Sequence, residues 1–567
     1  MRKAAFVAVL GCGGCLGSLI SGAGGAPTAG TTGGSSSGVA SSGTTAGGGS
    51  TTGAGTSSGT GTAGGSSGTS TGGTTGGSTT GAPDAGAALP PWIGVIGTGA
   101  NLGIGVYGSP VLSTARKYHN LKLEDDGPDP RYAFDGGGRY SLVPLVEPLR
   151  PLPLPGWSDY QYPNDIFGET PHTALGNQLT ALSLAADAGE LVSVQTDVGD
   201  PWSCIGDVDR EGSGRAYQAS LAEARVISAL AADAGRAMRY DAVVLTGGEC
   251  DSYDLGYEPK LLQLWVDYDG DLRGITGQDG GVTLVETQQS AIDPYPDGTG
   301  SMLELWQAGV DYPGKIVCAG PKYQYAYAPD SYHLLPSGYV RLGEKYAEVV
   351  AAIEAGRGWA PLEPTGATHA GNLVTISFRV AFPPLNWDEN QPAGHQTANT
   401  AWAMGRGFEV TDLASGLQIP IESAEISGDD VVLTLGFDPD AGALPDGGIE
   451  LGYAMTTDAP GVLVAGQPAG RHGALRDSDP LVGIDAETLD VQVVQGSATV
   501  TGLFNYRAVW DRVAPGELPK ETVVLAVDPA SSTLTLSNPW PGPTGTDALT
   551  FWHEQRNYCV DFQMRLP

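Results

Sequence analysis

The sequence predicts an α/β protein: a three-layer α/β/α head built on a doubly wound parallel sheet, followed by β-sandwich-type C-terminal modules. Three observations predict it. Between residues 90 and 359, short apolar runs alternate with helical patterns. From 360 onward the helical patterns stop, and alternating runs separated by Gly, Pro and Asp turns take over. Ahead of both, residues 21–89 are almost all Gly, Ser, Thr and Ala, so the packed part of the chain begins near 90.

The head reads in order as follows. Residues 92–96 form an apolar strand. Residues 171–188 form a helix closed by Gly189, and 191–195 a strand. Residues 214–234 form an Ala-rich helix closed by Gly235, and 242–245 a strand. Residues 258–275 form a helix, 282–285 a strand, 301–310 a short helix and 316–318 a strand. The last helix has Pro336 in its first turn, where the missing N–H costs nothing. It carries Leu342, Tyr346, Val349, Val350 and Ile353 on one face and ends at Gly356. Five strands alternating with helices call for a parallel sheet covered on both faces. The right-handed crossover rule then leads to a flavodoxin-like order, in which ligands bind at the carboxyl ends of the strands.

In the tail, Val374, Ile376, Phe378 and Val380 alternate with Thr375, Ser377 and Arg379, the pattern of a half-buried strand. Further strands are expected at 431–435, 449–453, 489–494, 522–527 and 534–536. They divide into a β-sandwich over 360–484 and a smaller β-rich module over 485–567. Trp387, Trp402, Trp510, Trp540 and Trp552 are candidates for a sugar-stacking face, against the commoner reading of tryptophan as core.

Residues 1–20 read as a lipoprotein-type signal peptide: Met1-Arg2-Lys3, an apolar run over 4–10, then Gly11-Cys12. The apolar run is far short of the roughly 20 residues that span a bilayer. Val9-Leu10-Gly11-Cys12 resembles a bacterial lipobox, which makes Cys12 the expected lipid-bearing residue and the protein an exported cell-envelope lipoprotein. Ordinary secretory cleavage is the alternative. Residues 21–89 would then be a flexible tether. The net charge of −34 excludes nucleic-acid binding, which needs basic patches. No C-x-x-C pair lies in the folded region, and no cofactor or metal is expected. Asp267-Tyr268-Asp269-Gly270-Asp271 has Leu272 where an EF-hand loop needs Gly, so it reads as a solvated helix face.

Three loops leaving strand ends carry chemistry. One is Gly97-Thr98-Gly99-Ala100-Asn101-Leu102, the second Gly247-Gly248-Glu249-Cys250-Asp251, the third Asp330-Ser331-Tyr332-His333. An Asp three residues before a His supplies the orienting and base half of a Ser-His-Asp site. Together, over residues 92–356, they resemble the SGNH (GDSL-type) hydrolase superfamily, in particular its sialate- and carbohydrate-O-acetylesterase-like branch. The resemblance implies that Asp330 orients His333, which acts as base. It implies that Gly199, in Gln195-Thr196-Asp197-Val198-Gly199, gives an oxyanion amide. Gly248, Glu249 and Asp251 stand where the branch has Gly-Glu-Ser-Asp, as oxyanion or substrate contacts, and Gly99 and Ala100 line the nucleophile turn. Where the family carries its nucleophilic Ser, this chain has Ala100-Asn101. In one register Asn101 takes that place, in the other Ala100, and neither is an acyl-transfer nucleophile. The implied activity is ester hydrolysis on a glycan or other small ester, catalytically impaired. A glycan-binding pseudoenzyme and a surface adhesin are the alternatives. Cys204 and Cys250 lie in or next to the second and third blocks, which leaves two readings open: two independent thiols, or a disulfide that braces the loops.

Overall fold

The computed structural model describes residues 89–566, apart from 126–139, 151–165, 213–214, 291–297, 331, 390–398, 440–447, 457–469, 482, 485, 503–510, 515–517, 520–521 and 529–530. The signal peptide, Cys12, the tether and Trp510 lie outside the described residues.

The head's sheet has seven strands: β1 (Trp92–Gly99), β2 (Leu121–Asp125), β3 (Tyr140–Pro144), β4 (Ser193–Gly199), β5 (Met238–Thr246), β6 (Thr283–Gln288) and β7 (Ile316–Pro321). Their spatial order is β3-β2-β4-β1-β5-β6-β7, and only the β2–β3 pair is antiparallel. The helices are α1 (Pro171–Ala185), α2 (Ile205–Val208), α3 (Arg215–Asp233), α4 (Tyr257–Thr276), α5 (Gly300–Asp311) and α6 (Pro336–Glu354). Successive side chains of a strand point to opposite faces. Val95, Ala242, Val244, Val285 and Val317 therefore pack with Leu175 and Leu179 of α1 and Leu342 and Tyr346 of α6. Their neighbours Ile96, Val243, Leu245, Leu284 and Ile316 pack with Leu221 of α3, Leu261 of α4 and Leu305 of α5. This is why the parallel strands read as continuous apolar runs rather than alternating ones.

Within the head, β2, β3 and α2 were not legible in the pattern. The β2–β3 pair is short and forms the sheet's edge, and β2 interleaves Lys122 and Glu124 with its leucines. The stretch at Asp267 lies inside α4 as expected, but it is paired rather than solvated. Arg210 bridges Asp267 at 3.1 Å and Asp271 at 2.5 Å.

The tail is all antiparallel in its named strands. Glu363–Ala370, Leu373–Arg379, Asp430–Leu435 and Ile421–Ser427 form one sheet, and Phe408–Asp412, Ile449–Tyr453 and Phe562–Leu566 a second. One core, with Val374, Leu433, Phe408, Leu451 and Phe562, joins the two. A separate six-stranded sheet, with strands from Glu487–Val493 to Gly545–Trp552, has its own core around Val491, Leu534 and Trp540. The boundary at 484/485 thus needs correction: the last strand of the chain returns to the first β unit. Among the described tryptophans, Trp402 and Trp540 do not share a face. Trp402 and Trp540 are buried in different cores, with their indole N–H groups on Val410 O and Pro543 O, and Trp387 packs against the first of these cores.

Head and tail are joined through polar groups that the amphipathic reading of α6 would leave in water. Lys345 donates to Asn557 Oδ1 at 2.7 Å and pairs with Glu348 at 2.5 Å. Glu344 accepts from Ile484 N–H at 2.8 Å and Gln555 Nε2 at 3.0 Å, and Arg341 pairs with buried Asp511. On the next strands, Gln288 exchanges two hydrogen bonds with the backbone of Asp561, at 2.7 and 2.8 Å.

Candidate functional site

The site lies at the carboxyl end of β1, β4 and β5. At the end of β1, Gly99 has φ +130°, and a Cβ there would stand 2.3 Å from Thr246 O. Only glycine allows this approach. The chain then turns tightly: Ala100 N–H donates to Thr246 O at 3.2 Å, Gly103 N–H to Ala100 O at 2.9 Å and Val106 N–H to Asn101 O at 3.1 Å. Gly99 is paired in register with Gly199 at the end of β4, where a Cβ would meet Ile104 Cγ2 at 2.6 Å.

This turn delivers Asn101, not Ala100, to His333. Asn101 Nδ2 lies 3.1 Å from His333 Nε2, and Asn101 Oδ1 accepts from the Trp202 N–H at 2.7 Å. His333 Nδ1 is 2.6 Å from Asp330 Oδ2, and Asp330 Oδ1 accepts from the backbone N–H groups of Tyr332 and His333, both at 3.1 Å. The protonation pattern follows from the donors. The Trp202 N–H can be met only by the amide oxygen, so the amide nitrogen faces the ring. Nε2 must therefore accept, and Nδ1 carries the proton toward Asp330. Burial works against the Asp330 carboxylate, but the hydrogen bonds from His333 and Tyr332 hold it below its ordinary range. Asp330, His333 and Asn101 thus stand in the order of a triad, with a carboxamide where a hydroxyl would attack.

The remaining residues of the sequence reading are brought to the same edge but mostly do other work. The Ala100 N–H is already engaged by Thr246 O, so it is not an oxyanion donor. Gly248 has φ +102°, and its carbonyl accepts from Ser301 Oγ at 2.7 Å. Glu249 is not a substrate contact. It is 2% exposed and forms an ion pair with wholly buried Lys322, whose Nζ also donates to Gly247 O at 3.1 Å. Asp251 likewise braces: its Oδ2 accepts from Ile205 N–H at 2.8 Å, at the start of α2. Burial pushes its carboxyl up to about 6 despite that bond. Of the two readings of the cysteines the disulfide is present, Cys204 to Cys250 with Cα atoms 5.0 Å apart. It ties the loop that carries Trp202 to the loop that carries Gly248.

Sequence reasoning missed Lys322 and the aromatics around His333. Tyr107 stacks on the imidazole with centroids 5.2 Å apart and planes at 17°, Trp202 meets it edge-on at 6.2 Å, and Tyr332 edge-on at 4.7 Å. His333 is 4% exposed as a result. A lone Lys after a strand names no partner. The available signal for Trp202 was its place just beyond the Gly199 block.

No family model matches this chain, and no curated protein matches it. Among solved structures it is similar to a protein of Arabidopsis thaliana, at 16% identity over 46% of this chain and 99% of that one, with a TM-score of 0.34. It is similar to a carbohydrate acetylesterase from Xanthomonas citri, at 12% identity over 64% of this chain and 75% of that one, with a TM-score of 0.40. It is also similar to NanS, at 11% identity over 47% of this chain and 99% of that one, with a TM-score of 0.31.

Proposed function

We propose that this chain is an SGNH-type hydrolase relative whose acyl-transfer site is closed by Asn101, and that it binds a glycan without hydrolysing it. The observation that carries the reading is the line Asp330–His333–Asn101 at 2.6 and 3.1 Å. The five strands read from the sequence run in the order second, first, third, fourth, fifth, which agrees with a flavodoxin-like doubly wound head. In a working triad His333 Nε2 takes a proton from the nucleophile. Here Nε2 accepts from an amide N–H, whose nitrogen lone pair is delocalised into the carbonyl and does not attack an ester. The same carboxamide covers the Trp202 N–H, a donor that could otherwise face a developing oxyanion. Export with a lipid anchor at Cys12 belongs to the same proposal and rests on residues 1–12 alone.

The test is hydrolysis of p-nitrophenyl acetate. The native protein should turn over no faster than His333→Ala. Asn101→Ser should exceed both, and Asn101→Ser combined with His333→Ala should lose the gain. Native turnover at an esterase's rate that disappears in His333→Ala would overturn the closed-site reading and make the protein an active hydrolase.

A further inference from the structure

The rim of the site carries aromatic surface that packing alone would hide. Trp202 is 71% and Tyr107 53% exposed. Both have φ +65°, a left-handed backbone that bulky side chains rarely adopt and that tends to persist at functional sites. Both rings are set against His333, one parallel to the imidazole at 17° and the other across it at 88°. The Tyr107 and Trp202 planes are therefore close to perpendicular, and each ring borders His333. Trp202 is fixed at its base by its own N–H on Asn101 Oδ1 and by the neighbouring disulfide at Cys204.

The loops that carry and neighbour these rings are acidic in sequence. The loops 97–107, 199–205, 247–256 and 328–334 contain Asp200, Glu249, Asp251, Asp254 and Asp330 and no Lys or Arg. Lys322 pairs with Glu249 and Lys260 with Asp254 at 2.5 Å, so these two lysines and these two carboxylates offset each other and the balance of the loops stays acidic. Within these four loops a sugar carboxylate would meet carboxylates and no Lys or Arg, and within about 10 Å at 0.1 M salt screening does not remove the repulsion. An uncharged pyranose meets no such penalty. Its polarised C–H face matches the negative face of an aromatic ring.

We infer that the exposed rings of Trp202 and Tyr107 beside His333 receive the C–H face of an uncharged pyranose, and that the acidic loops exclude sugars bearing carboxylates. This rests on the glycan-binding reading above and narrows it to a substrate class.

The experiment is a glycan array carrying neutral, uronate-containing and sialylated oligosaccharides, read with the full chain at 20 and 500 mM NaCl, followed by calorimetric titration of the best ligand. The expected result is binding confined to neutral sugars, with Trp202→Ala and Tyr107→Ala each weakening it at least tenfold. Both side chains are exposed, so unchanged thermal unfolding of the variants will confirm that the fold is kept. Preferred binding of uronates or sialosides overturns the charge rule while leaving glycan binding intact. Neutral binding indifferent to both variants overturns the role of the two rings. Binding to no sugar on the array sinks the inference together with the reading it rests on.

Discussion

Asn101 has both ends of its carboxamide satisfied, by Trp202 N–H at 2.7 Å and by His333 Nε2 at 3.1 Å. Replacing it by Ser places a hydroxyl one bond closer to the backbone than the amide nitrogen. The oxygen then falls short of Nε2 by roughly 1 Å, a misplacement that can cost on the order of a hundredfold. Asn101→Ser is therefore expected to gain ester turnover of at least roughly tenfold over native and still fall far below a tuned triad. Equal rates for Asn101→Ser and Asn101→Ala would refute it. Asp251 gives a second expectation at this scale. Its carboxyl is raised by burial to about 6 from 3.8. A raised acid contributes stability below its unfolded pKa and loses it as pH rises through the folded one. Asp251→Asn keeps an acceptor for Ile205 N–H and carries no charge. The variant should match the native protein near pH 3.5 and exceed it above pH 6.5, by up to about 2 kcal/mol. Urea unfolding at the two pH values decides this, and a variant weaker at pH 7.5 contradicts it.

At the scale of elements, the loops at the sheet's carboxyl edge are braced from within. Lys322, just after β7, holds the loop after β5 through Glu249 and Gly247 O. Removing one member of a buried pair leaves an uncompensated charge, which typically costs about 3–5 kcal/mol. Lys322→Met alone should destabilise by that order, and Lys322→Met with Glu249→Gln should recover much of it. Full additivity of the two changes would show that no pair exists. The runs of β1, β4, β5, β6 and β7 were legible because both faces of each strand are buried, and Asp330-x-x-His333 was legible because its partners are local. Glu249 and Lys322 were not, since 73 residues separate them and only the packed sheet makes them neighbours. The register at Ala100-Asn101 was also open, because it depends on a turn whose first bond is made to Thr246 on another strand. Trp202 escaped notice because its backbone, not its side chain, makes the bond to Asn101.

At the scale of the whole molecule, among the described residues no helix is long and apolar enough to cross a membrane. The proposed lipid on Cys12 rests on the sequence, and Cys12→Ala should move the protein from the detergent phase to the aqueous phase; a native protein already in the aqueous phase would refute it. The described head and tail, by contrast, do not behave as beads on a string. Arg341, Glu344 and Lys345 of α6 are buried against Asp511, Ile484, Gln555 and Asn557. The strand Phe562–Leu566 also completes a sheet whose other members come more than 100 residues earlier. A chain ending at 484, the boundary that the pattern of strands suggests, would lose that strand and its Phe562 and Leu566 from the core. It would also strip buried Arg341 of Asp511. Burying a charge without its partners costs several kcal/mol, comparable to the net stability of a whole domain. The truncated chain is therefore expected not to fold cooperatively, even though both β units look separable in sequence. In the full chain the seam between α6 and the tail should melt in one transition with the head. Differential scanning calorimetry of residues 83–567 and 83–484 checks this directly. A sharp transition in the shorter chain, or two well-separated transitions in the longer one, would mean that the polar seam does not couple the two.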